Sequence, residues 1–190
     1  MSFSDLVKAG ASSEEIARHL DGLSPEVRVA EVLAIPGGLL KKLWALEEGH
    51  SDLVLEEFVQ PAGETVIYEL KNHLPVFNIS QKRFFRPATG ETVGYNHTEG
   101  LAKTFAGPGY FFTKAGEKGE LEFDYTRLPT LRPEGWPEIK PNTGLIPGGV
   151  YGEMIDYARR VSRHTIIGAA YRHGKPRNAW FILTRAAHQS

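Results

Sequence analysis

The chain has 190 residues, 41% of them hydrophobic, and a formal charge of −1 from 22 basic and 23 acidic side chains. That balance excludes a polycation for nucleic acid or an anionic membrane, and no run approaches the ~18 apolar residues of a membrane span. Cysteine is absent, which removes disulfides, thiolate metal sites and cysteine nucleophiles together and fits a reducing, cytoplasmic setting.

The first thirty residues carry no basic region followed by an apolar stretch, so no signal peptide is expected. Residues 1–58 read as helical. Ser12 to Glu15 has the S-x-x-E form of a capping box, followed by Ile16, Ala17 and Leu20. Ser24-Pro25 supplies an N-cap hydroxyl and a proline at the first helical position, with Val27, Ala30, Val32 and Leu33 behind it. Leu39 to Glu48 carries a broad apolar stripe that stops at Gly49. Helices this short need a surface to pack on.

Residues 59–190 read as antiparallel sheet. Short β-prone runs occur at Val66–Tyr68, Gln81–Arg86, Thr92–Thr98, Gly109–Thr113 and Glu120–Leu128, separated by turn-rich segments. A proline-spaced stretch, 129–149, is too rich in breakers for a regular element and reads as a long loop or lid. Met154–Val161 suits helix or strand; strand is preferred because Ser162-Arg163-His164 then turns into the next strand. Thr165–Tyr171 and Asn178–Thr184 flank a hairpin at 172–177.

In those last two strands both faces are apolar: Ile166, Gly168 and Ala170 against Ile167, Ala169 and Tyr171, and Trp180 and Ile182 against Phe181 and Leu183. An antiparallel sheet with one wet face does not need that. The chain is therefore expected to be α+β, one domain whose N-terminal helices pack on a barrel or strongly curved antiparallel sheet.

The sequence contains no G-x-S-x-G elbow, Walker loop, H-E-x-x-H or dinucleotide fingerprint. Gly107-Pro108-Gly109 and Gly148-Gly149 read as plain turns. No two histidines have metal-ligand spacing; a site from His97, His164 and Asp124 or Glu99 would need distant residues to converge, and neither metal nor cofactor is expected.

Val93, Tyr95 and His97 share one strand face. If it lines a cavity, Tyr95 and His97 become polar anchors, or His97 an acid/base with Tyr95 or Asp124 assisting. Leu121, Phe123 and Tyr125 should face a core or pocket, leaving Asp124 a solvated edge carboxylate; in the alternative, a barrel interior wide enough for a ligand admits the polar side, with Arg127 at the mouth as an anion clamp. Trp136, in the proline-spaced stretch, caps a cavity or packs over the sheet. From Tyr157 on there are seven Arg or Lys and no acid, while the first sixty residues hold eleven acids and five bases. The two ends are expected to face each other.

The runs Tyr151–Val161, Thr165–Ala170 and Trp180–Arg185, with Gln81-Lys82-Arg83-Phe84 in the centre, resemble the small lipocalin-like barrels. More narrowly, they are similar to bacterial barrel proteins marked by a G-x-W-x-G motif in the N-terminal half, which this chain does not carry. The likeness covers about a third of the chain. It implies an up-and-down barrel around a hydrophobic cavity and transfers no catalytic residue.

Three functions follow. The first is a binding protein for a hydrophobic or amphipathic small molecule, lined by Phe84, Tyr95, Phe111, Phe123, Tyr125, Trp136, Tyr157 and Trp180 with Arg127 or His97 as anchor. The second is a cofactor-independent isomerase, cyclase or lyase using His97. The third is a barrel filled by its own side chains. Oligomeric state is left open.

Overall fold

A computed structural model describes residues 1–75, 78–98, 107–142 and 151–188. Eight antiparallel strands close into a barrel in simple up-and-down order: β1 (Thr65–Asn72), β2 (Ile79–Phe85), β3 (Thr92–His97), β4 (Tyr110–Ala115), β5 (Leu121–Asp124), β6 (Met154–Ser162), β7 (Thr165–Arg172) and β8 (Lys175–Arg185). Strand β8 returns to pair with β1, Leu70 opposite Leu183. This is the α+β barrel expected, and it settles the ambiguous 154–161 segment as strand. The hairpin between β7 and β8 is tighter than the six residues expected. His173 (φ 51°) and Gly174 (φ 70°) alone make the turn, the two left-handed residues that match the twist of a two-residue hairpin.

Helices precede the barrel: α1 (Phe3–Ala9), α2 (Ser13–Asp21), α3 (Pro25–Leu33), α4 (Leu40–Leu46) and α5 (Leu55–Phe58). The Ser12/Glu15 box closes in both directions, and the Ser24 hydroxyl accepts from Val27 N. The sequence reading did not single out α1, although Ser2 and Asp5 form a second capping box there, nor the four-residue α5. Helix α4 begins one residue later than expected, after a 3-10 turn at Gly37–Leu39.

Phe3, Val7, Ile16, Leu20, Val32, Ile35, Leu40 and Leu43 form one core with Val161, Ile167 and Ile182, from the outer faces of β6, β7 and β8. The apolar outer faces of the last strands are thus the seat of the helices. Charges follow the same geometry: Arg160 pairs with Asp52 and lies 3.6 Å from Glu57, and the Arg159 guanidinium lies 3.7 Å over the Trp44 ring. Acidic head meets basic tail, as the charge asymmetry predicts.

The barrel interior is a second core. Phe58 of α5 closes the lower end, stacked 4.4 Å from Tyr68, whose hydroxyl donates to Phe58 O (2.9 Å). Above it Phe84, Phe111, Phe123 and Phe181 lie with ring centroids 5.4–6.3 Å apart. Two glycines make room for them. A β-carbon at Gly94 would lie 2.5 Å from the Phe111 ring, and one at Gly168 2.2 Å from Phe181. Such contacts would force the rings out of place.

Candidate functional site

Strand pairing decides which side chains look inward. Lys82 is opposite Asn96, Phe84 opposite Gly94, Gly94 opposite Phe111, and Phe123 opposite Asp156. Because alternate residues share a face, the wall of aromatic rings also carries Lys82, Asn96 and Asp156 into the barrel. Lys82 is 2% exposed and Asp156 4%.

The two are held by a compact set of contacts. Lys82 Nζ donates to Asn96 Oδ1 (2.8 Å) and to the Tyr125 hydroxyl, and lies 3.6 Å from Asp156 Oδ2. Asn96 Nδ2 in turn donates to Gly109 O (3.0 Å) and Tyr125 Oη (3.2 Å). Four rings surround the ammonium at 4.8–5.5 Å from their centroids: Phe111, Phe123, Tyr125 and Phe181. Ring faces stabilise a cation that water does not reach. Tyr151 stacks on Tyr125, centroids 5.3 Å apart and planes within 10°, and covers the cluster from the upper end.

Electrostatically the site favours neutral forms. Burial lowers Lys82 to about 8, against the pull of Asp156. Burial likewise raises Asp156, with Lys82 opposing, and holds the Tyr125 phenol well above its ordinary value. A proton shared between amine and carboxylate, beside a phenol that stays protonated, is equipment for acid–base exchange. One polar atom is left over: Asp156 Oδ1 is buried with no hydrogen-bond partner.

The expected site residues divide between this cluster and the outside of the wall. Phe111, Phe123 and Tyr125 face inward as anticipated, with Phe84 beneath. Tyr95 and His97 do not, because Gly94 and Asn96 take the inner face of β3. They lie on the outer side instead, Tyr95 Oη 3.3 Å from His97 Nδ1. There they line a surface cleft of about 570 Å³ with Arg83, Pro137, Glu138 and Lys140. Trp136 covers no interior cavity. It packs 4.7 Å from Tyr95 and donates to Thr65 Oγ1 (3.0 Å), part of a third core that lays residues 133–139 over the outside of β2–β4.

Asp124 is not solvated. It is 8% exposed and accepts from Thr126 N (2.9 Å), Thr126 Oγ1 (2.6 Å) and Arg127 Nε (3.4 Å), which lowers its pKa despite its burial. Arg127 is committed to Asp124, Glu91 and the Phe112 face. Tyr157 packs edge-on to Tyr171, and Trp180 borders the helical core. His97, at the upper end of β3, and His164, in the β6–β7 turn at the lower end, are kept apart by the barrel. Among the described residues no three metal-binding side chains cluster. Glu99 and Gly148-Gly149 lie outside the described residues.

Sequence reasoning missed Lys82, Asn96 and Asp156. One signal was available: Lys82 is two residues from Phe84, so any face that buries Phe84 buries Lys82.

Among the described residues no helix is long and apolar enough to cross a membrane. No family model, curated protein or solved structure matches this chain.

Proposed function

We infer that the chain binds an uncharged small molecule with a flat apolar body and one hydrogen-bond donor, at the end of the barrel where Lys82, Asn96, Tyr125 and Asp156 converge. The observation that carries this is the Lys82–Asp156 pair itself, enclosed by rings with Asp156 Oδ1 unpaired. Apolar residues of similar volume in place of a buried ion pair are often neutral or stabilising, so stability alone does not require the pair. A ligand donor on Oδ1 would.

The opposite charges of Lys82 and Asp156 cancel, so a charged head group would lose its hydration with no net countercharge to meet it. The rings favour a planar body by stacking. Asn72, Ser80 and Met154, toward the upper end of their strands, are only partly buried, and entry is assigned to that end, past the Tyr151 ring, because α5 closes the other.

Thermal shift tests this with 2-naphthalenemethanol and a panel of related aromatic alcohols and phenols. At 100 times its Kd a ligand stabilises by about 2.7 kcal/mol, roughly 5–10 °C in a chain of this size. The wild type is expected to shift by that amount, and the Lys82→Met/Asp156→Leu double variant not at all. No shift with any member, or equal shifts in both proteins, would mean a barrel filled by its own side chains.

A further inference from the structure

We propose that Lys82 is a nucleophile that forms an imine with an aromatic or conjugated aldehyde taken up at this site. This rests on the reading above that the site takes up a flat apolar molecule, the aldehyde oxygen accepting from the Asp156 carboxyl where an alcohol donates to it. The geometry is that of a protected amine. Nζ is fully enclosed, its neighbours are ring faces, one carboxylate, one phenol and one amide, and the carboxylate lies at 3.6 Å. Lysines buried in apolar surroundings are the ones available as free amines near neutral pH, and the displaced pKa of Lys82 agrees.

The step balances with these groups alone. The Nζ lone pair attacks the carbonyl carbon while the oxygen takes a proton from the Asp156 carboxyl, giving a carbinolamine. Nitrogen returns a proton to Asp156, which then protonates the departing hydroxyl. Water leaves as the C=N bond forms, so amine plus aldehyde gives imine plus water with no oxidant or reductant. The Tyr125 hydroxyl, at Nζ in the free protein, donates to the carbonyl oxygen during attack. A protonated imine retains Asp156 as its counter-ion. Exposed lysines such as Lys41, Lys118 and Lys175 have no such partner set.

The test uses 2-naphthaldehyde with sodium cyanoborohydride at pH 7.5, adducts being located by peptide mass spectrometry. The expected result is one adduct per chain on Lys82, forming at least tenfold faster than on Lys41, Lys118 or Lys175 and suppressed by excess 2-naphthalenemethanol. Asp156→Asn should slow the adduct more than tenfold. Lys82→Met/Asp156→Leu, which leaves no orphaned charge, should lose it altogether. Labelling confined to surface lysines, with the alcohol still bound, overturns imine chemistry and leaves the binding reading in place. Loss of alcohol binding as well removes both.

Discussion

Lys82→Met alone should destabilise the protein by ~3–5 kcal/mol, the ordinary consequence of leaving one member of a buried ion pair without its partner. Adding Asp156→Leu should return stability to the wild-type level or raise it by ~1–4 kcal/mol, since apolar groups of similar size replace such a pair without loss. The reason is visible in the surroundings. With Nζ gone, Asp156 would keep only the Tyr125 hydroxyl as a partner, because Oδ1 is already unpaired. Its route of escape is to take up a proton, so the penalty of the single variant should shrink at pH 5. Urea unfolding of the two single variants and the double variant at pH 5 and pH 8 measures this as a coupling energy. Additive effects below about 1 kcal/mol would mean that the pair is hydrated and that the barrel is open at this height.

The second large effect lies in the helical layer. Glu47, at the end of α4, is 2% exposed beside Ser13 and Glu14 of α2, and its Oε1 has no partner. Burial raises its pKa from 4.5 to about 7, with Glu14 adding to the shift and Ser13 opposing it. The folded state therefore holds a proton that the unfolded state has released. The stability this gives is complete below pH 4.5 and is lost as pH rises through 7.

Between pH 5 and pH 8 the loss should reach about 2 kcal/mol, and Glu47→Gln should abolish that part of the pH dependence. At pH 8 the Gln variant should melt roughly 4–8 °C above the wild type, with little difference at pH 5. Parallel melting curves for the two proteins across this range would show that Glu47 reaches water.

Most of the fold was legible because its signals are local. Ser12/Glu15 and Ser24-Pro25 announce helix starts through the hydrogen bonds they make within a turn. The doubly apolar faces of β7 and β8 announce a sheet covered on both sides. The site was less legible because its logic is cross-strand. Which face of β3 turns inward depends on the Phe111 ring needing the space that Gly94 leaves. Nothing within Val93–His97 reveals that need, so Tyr95 and His97 looked as plausible as Asn96. Asp156 lay in a run that fitted helix or strand, and its register with Phe123 exists only once the sheet has formed. Asp124 read as a surface carboxylate because its partners, Thr126 and Arg127, act through a turn after the strand ends.

A single titration reaches the centre of this account. Following the Lys82 side chain by NMR, through its ε-methylene carbon and Nζ, should give a midpoint near 8 in place of the ordinary 10.5. A Lys82 midpoint at the ordinary 10.5 would place its ammonium in water and contradict the buried amine on which both the binding and the imine chemistry rest.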